Sequence, residues 1–374
     1  MTRLHDLHEA GGQSPWLDNL RRDWLQSGEL GRWVERGVRG VTSNPSIFQK
    51  AFTATDAYDE QFAALVGAGR SVTDAYWDLV VDDIVRALAL LEPVHTASSG
   101  EDGHVSVEVA PALARDTDGT LTAARELHAR IDRPNLYVKI PGTTEGLPAV
   151  SQATAEGINV NVTLLFSLSR YSEVIEAYLS GLEAADGPLH TRSGVASFFV
   201  SRVDNEVDRL LDEIGTEAAL ALRGRAAVAN AQLAYGLFRQ RFAGERWEAL
   251  AQRGARVQRP LWASTSTKNP SYSPTLYVDT LIAPGTVNTM PEATLDAFEQ
   301  AGTVARTADA DLDGARRVLD DLAAVGVDLD DVTTRLEAEG IDAFVQSFDD
   351  LLAALGDKAV GSAGSAASST KGGA

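Results

Sequence analysis

The chain has 374 residues, a formal charge of −20, 44% hydrophobic residues and no cysteine. That composition excludes whole-chain disorder, disulfides, thiolate metal sites and cysteine nucleophiles. Its acidic balance argues against nucleic acid and anionic membrane surfaces, both of which select basic footprints.

Short β-rich runs alternate with helical patterns along the chain. In order, the predicted strands are Pro15 to Asp18, Gly40 to Thr42, His104 to Val109, Asn135 to Ile140, Ile158 to Val162, Val195 to Val200, Pro260 to Ala263 and Thr286 to Asn288. Between them, Val80, Ile84, Ala87, Leu88 and Leu91 share a helical face, and Pro93 is expected to stop that helix. Residues 169–182, 205–214 and 294–301 also read as helices. Parallel strands need crossovers long enough to hold a helix, so eight strands in this order predict an α/β protein, a closed (β/α)8 TIM barrel with additional helices. The alternative is an open doubly wound sheet, which a Gly-rich dinucleotide loop after the first strand would favour; none is present. Residues 51–71, 216–259 and 308–357 read as additions, the second and third helical. The expected organisation is a single barrel domain over residues 1–360, followed by a disordered Gly/Ser/Ala tail over 361–374. An N-terminal targeting segment is not expected, since acids and histidines stand where its apolar run would be. The apolar stretch from Leu79 to Leu91 carries Asp82, Asp83 and Arg86 and cannot span a bilayer. A cytoplasmic location is the expectation.

Active sites of such barrels lie at the C-terminal ends of the strands. The polar residues there are Asp18, Asn44, Glu108, Lys139, Asn161, Thr163, Ser197, Arg202 and Ser264. Lys139 stands in an apolar strand, where lost hydration disfavours the ammonium form; a neutral amine can form a Schiff base with a carbonyl. The other reading is a buried lysine paired with a carboxylate. Glu108 suits acid/base work or, equally, an ion pair with Lys139. Asp18 reads alternatively as a helix N-cap. The six histidines are scattered without metal-ligand spacing, and neither a G-x-S-x-G elbow nor a P-loop occurs. The acidic pairs Asp330-Asp331 and Asp349-Asp350 read as solvated helix faces.

Four segments carry a family resemblance. Gly40-Val41-Thr42-Ser43-Asn44-Pro45-Ser46-Ile47-Phe48 resembles the N-terminal signature of the transaldolases, and Leu136-Tyr137-Val138-Lys139-Ile140-Pro141-Gly142-Thr143 resembles their Schiff-base lysine signature. Asn161-Val162-Thr163-Leu164-Leu165-Phe166-Ser167 and Ser197-Phe198-Phe199-Val200-Ser201-Arg202-Val203-Asp204 are similar too, in the same order. The additions resemble the longer bacterial branch. The resemblance implies an enzyme of the non-oxidative pentose phosphate pathway that moves a dihydroxyacetone unit between sugar phosphates, with neither metal nor organic cofactor. Fructose 6-phosphate or sedoheptulose 7-phosphate would be the donor, and erythrose 4-phosphate or glyceraldehyde 3-phosphate the acceptor. It implies that Lys139 forms the Schiff base and that Asp18 exchanges the C4 hydroxyl proton. Glu108 and Thr163 would relay protons through a water, Asn44 and Ser197 would hold the dihydroxyacetone hydroxyls, and Arg202 would bind phosphate. Where many transaldolases carry an arginine two residues after the serine of the seventh strand, this chain has Ser266. Lys268, with Ser264 and Ser266, is the expected second phosphate site. Screening over about 8–10 Å lets such local cations act despite the acidic whole.

Two rivals differ in kind. Fructose 6-phosphate aldolases share the scaffold but carry a tyrosine where this chain has Phe199, which favours transfer over lysis. A catalytically silent sugar-phosphate-binding barrel is disfavoured by the joint presence of Lys139, Glu108 and Asp18.

Overall fold

The computed structural model describes residues 1–369, those after 359 by backbone alone. Eight strands form a closed barrel in sequence order: β1 (Gln13–Leu17), β2 (Gly40–Thr42), β3 (His104–Glu108), β4 (Leu136–Pro141), β5 (Val160–Leu165), β6 (Gly194–Phe199), β7 (Gln258–Ala263) and β8 (Thr286–Met290). Each neighbouring pair is parallel, and β8 closes on β1 from Gln13↔Thr286 to Leu17↔Met290. Closure excludes the doubly wound alternative. The apolar runs predicted as strands are buried on both faces, as a barrel wrapped by helices requires.

Register does the positioning. Glu108 pairs with Lys139, and Lys139 with Asn161, so three polar side chains sit side by side across β3, β4 and β5. The other end of the barrel interior is filled. His104 stacks on Tyr137 with ring centres 4.2 Å apart, and Trp16 lies 6.2 Å from His104. Gly40 is required there, because a Cβ at that position would lie 2.4 Å from the Trp16 ring. Below them the buried Asp102 accepts hydrogen bonds from Ser14 on β1, Arg259 on β7 and Arg39 before β2, at 2.7–2.9 Å.

Three expectations are corrected. Pro93 does not end its helix, which spans Val72–Ala97. Proline deletes one donor, and the last turn is held by tertiary contact, His95 lying edge-on to His104 at 5.2 Å. Gln258 and Arg259 belong to β7 rather than to the helical addition; the helices there are Glu217–Leu220, Ala226–Arg241 and Glu245–Gln252. The final helix, Leu329–Ser369, continues past the expected boundary at 360, since extending an existing helix needs no new nucleus; residues 370–374 lie outside the described residues. That helix crosses the C-terminal mouth of the barrel. Phe348 packs edge-on against Tyr76 at 5.4 Å, and Ser46 Oγ donates to Ser347 Oγ at 2.9 Å. The acidic pairs Asp330-Asp331 and Asp349-Asp350 are exposed. Among the described residues no helix is long and apolar enough to cross a membrane.

Candidate active site

At the C-terminal mouth a cavity of about 670 Å³ opens over the strand ends. Asp18, Asn44, Lys139, Thr163, Ser197, Phe199, Arg202, Ser264 and Lys268 all line it. Glu108 does not; it lies behind Lys139, facing a separate small space beside Tyr76 and Phe348.

Lys139 is 5% exposed. Its Nζ donates to Glu108 Oε2 at 3.1 Å and to the Ser43 carbonyl at 3.0 Å. That carbonyl is fixed because Ser43 Oγ is tied to the Ser106 carbonyl at 2.8 Å. The ion pair read from the sequence as an alternative to catalysis is therefore present, and it places a proton acceptor on the amine. Burial raises the Glu108 carboxyl above its ordinary range, and Lys139 opposes that rise. Among the described residues, Glu108 Oε1 and Thr163 Oγ1 are buried with no hydrogen-bond partner. Buried polar atoms rarely stay unpaired, so each suits a bound water.

Asp18 follows β1. Its backbone N–H donates to the Met290 carbonyl at 2.9 Å, and its Oδ1 accepts from Thr42 Oγ1 at 2.7 Å. Thr42 in turn meets Thr289 Oγ1 at 2.6 Å. Burial pushes the Asp18 carboxyl up, against the opposing pull of the Thr42 hydroxyl and Lys139. Asp18 caps no helix: the next one, Arg22–Ser27, has Arg21 at its N-cap. Asn44 does cap a helix, Pro45–Ala54, accepting from the Ile47 N–H at 2.9 Å. Ser197 Oγ donates to Asn161 Oδ1 at 2.7 Å, and Asn161 Nδ2 donates to Ser106 Oγ at 3.1 Å.

Arg202 stands at the far end of the cavity, in the first turn of the helix Ser201–Ile214. Its guanidinium lies 5.2 Å from the Phe199 ring centre. Burial lowers its pKa from the ordinary arginine value. Lys268 Nζ is exposed and donates to Ser266 Oγ at 2.9 Å. Ser264 has φ +56° and meets Ser201 Oγ at 2.9 Å, linking the β6 and β7 loops. Sequence reasoning missed Thr42, Thr289, the Ser43 carbonyl and Phe344. The first three lie in or beside strand ends, where the alternation of inward positions could have indicated them. Phe344 comes from a helix with no local sign of proximity. Among the described residues no three His, Asp or Glu side chains converge as metal ligands.

A buried lysine paired with a carboxylate, under a second carboxylate and opposite an arginine, at the C-terminal mouth of a (β/α)8 barrel, defines an enzyme equipped for amine-based carbonyl chemistry on anionic substrates. Sequence comparison agrees. The transaldolase/fructose-6-phosphate aldolase family matches residues 15–355. A transaldolase of Thermobifida fusca (strain YX) is 53% identical over 354 residues, spanning 93% of this chain and 96% of that protein. Transaldolases of Mycolicibacterium paratuberculosis (53%, 92% and 94% of the two chains) and Frankia alni (51%, 92% and 95%) are similar. The chain belongs to the transaldolase/fructose-6-phosphate aldolase family.

Proposed function

We propose that the protein is a transaldolase acting on sugar phosphates through a Schiff base on Lys139. The observation that carries this reading is the Lys139 Nζ, buried at the cavity floor and 3.1 Å from a carboxylate that can take its proton. The free amine attacks the C2 carbonyl of the donor ketose, and the carbinolamine loses water to give an iminium. Glu108 and Thr163, each with an unpaired oxygen, supply and collect the protons of that dehydration. Asp18 takes the C4 hydroxyl proton, the C3–C4 bond breaks, and its electrons pass to the iminium as an enamine while the aldehyde departs. The acceptor aldehyde is attacked by the enamine, Asp18 returns the proton, and hydrolysis frees the product and the amine. Asn44 and Ser197 hold the dihydroxyacetone hydroxyls. Arg202 and Lys268 hold the phosphate, the guanidinium by paired donors. Transfer of the three-carbon unit between ketose and aldose phosphates is a reaction of the non-oxidative pentose phosphate pathway, and a cytoplasmic location is part of this reading.

Two experiments test this. Borohydride reduction with fructose 6-phosphate should add the mass of the reduced three-carbon or six-carbon adduct at Lys139; no adduct on folded protein favours the silent binding barrel. A coupled assay with fructose 6-phosphate and erythrose 4-phosphate should show turnover that Lys139→Met reduces by several orders of magnitude. Undiminished turnover in that variant rejects the mechanism.

The lyase reading is disfavoured by Phe199. A tyrosine there could activate water at the enamine or iminium; phenylalanine instead packs on Phe166 at 5.2 Å and faces Arg202. Phe199→Tyr should raise free dihydroxyacetone release at the expense of transfer, measured by a coupled reductase assay.

A further inference from the structure

The helix Leu329–Ser369 supplies one wall of the substrate cavity. Phe344, 5% exposed, lines it. The Arg202 guanidinium lies 5.9 Å from the Phe344 ring centre and 5.2 Å from that of Phe199, so rings distant in sequence flank one cation. Among the described residues no hydrogen bond or ion pair engages that guanidinium. One turn before Phe344, Gly340 packs on the same group: a Cβ there would lie 3.5 Å from Arg202 Nη1 and 3.0 Å from Leu164 Cδ2. One turn after it, Ser347 accepts the hydrogen bond from Ser46, which lines the cavity beyond β2. The helix is thus pinned on two sides of the mouth.

We propose that Phe344 is a positioning residue for phosphate recognition: with Phe199 it holds the Arg202 guanidinium aimed into the cavity, making the C-terminal helix part of the substrate site. This rests on the reading of Arg202 as a phosphate ligand. The physical reason is that an aromatic face attracts a cation without occupying its donors. A carboxylate would hold the arginine equally well but would neutralise it and use the N–H groups that a phosphate needs. Two rings restrict a long, rotamer-rich side chain and leave its donor edge free for bidentate contact.

The test compares two carbonyl compounds that differ in phosphate. Borohydride trapping at Lys139 is titrated with fructose 6-phosphate and with dihydroxyacetone, and the ratio of half-trapping concentrations is read for each variant. Phe344→Leu keeps apolar bulk but has no ring, and the ratio should rise about tenfold in the sense of weaker fructose 6-phosphate capture. Phe344→Tyr retains the ring and should restore the ratio of the unsubstituted protein. Gly340→Val, which pushes the helix off Arg202 and Leu164, should raise the ratio in the same sense and serves should the leucine variant fail to fold. An unchanged ratio in folded Phe344→Leu, or equal weakening for both compounds in the leucine and tyrosine variants, overturns the inference. Trapping of neither compound on the unsubstituted protein instead overturns the Schiff-base reading on which it rests.

Discussion

Asp18, just after β1, and Lys139, on β4, both face the cavity. In the proposed role Asp18 must be ionised to take a proton, yet burial raises its pKa. The acid limb of kcat/KM should therefore lie above the ordinary aspartate range, with activity falling as pH drops through the raised value; a limb at or below pH ~4 would contradict that role. Stability follows with the opposite sign. Between the ordinary and raised pKa the folded state binds more protons at Asp18 than the unfolded state, so its contribution falls as pH rises. Asp18→Asn should accordingly raise the thermal midpoint at neutral pH while abolishing transfer, and the gain should shrink below pH ~4. Thermal scans at two pH values check it. Lys268 is exposed and donates to Ser266. Lys268→Ala should raise the KM for sugar phosphates by roughly three- to tenfold with little change in kcat, the pattern of uniform binding lost.

Among the elements, β2 is the shortest strand and one of the most constrained. Its three residues carry Gly40, which admits the Trp16 ring, and Thr42, which orients Asp18. Gly40→Ala must displace Trp16 or the strand, a change of the overpacking kind that costs ~1–3 kcal/mol. Denaturant unfolding should show that loss, and kcat should fall with it because Thr42 shares the strand. The next element, Pro45–Ala54, begins on Asn44, so one side chain serves as helix cap and cavity wall. Positive-φ residues mark the C-terminal ends of β5 and β7: Leu164 at +62°, next to last in β5, and Ser264 at +56°, just after β7. Such backbone is uncommon outside glycine and clusters at functional sites. Each lies beside a cavity-lining residue, Thr163 and Ala263.

For the whole molecule, the two ends of the barrel have separate duties. The C-terminal mouth holds half-satisfied polar groups for chemistry. The opposite end is closed around Asp102, whose carboxylate joins β1, β7 and the segment before β2. Burial pushes that carboxyl up, but Arg259 and Arg39 override it and hold it well below the ordinary range. A depressed pKa contributes stability that is complete above the ordinary aspartate value and is lost as pH falls below ~4. Asp102→Asn takes from the buried Arg259 its close carboxylate partner and leaves the exposed Glu101 carboxylate at 3.9 Å, at a cost of up to ~3–5 kcal/mol at neutral pH. The variant should also be less acid-sensitive than the unsubstituted protein, as equilibrium unfolding between pH 3 and pH 7 would show. No loss of stability at pH 7 would remove Asp102 from the closure of the barrel.

Most of this organisation was legible in the residues. Apolar runs buried on both faces and the spacing between them determined eight parallel strands, because only a helical crossover returns a chain to pair in parallel. The motifs around Asn44, Lys139, Thr163 and Arg202 carried the resemblance to the family, whereas the position of Lys139 alone left a structural ion pair open beside catalysis. Pro93 misled because a tertiary contact at His95 outweighs one missing donor. Which atoms meet was decided only on folding: the register that sets Glu108 against Lys139, the Thr42 hydroxyl on Asp18, and the rings of Phe199 and Phe344 on Arg202. These are contacts between segments far apart in the chain. Barrel closure and helix packing determine them, and local pattern carries no record of either.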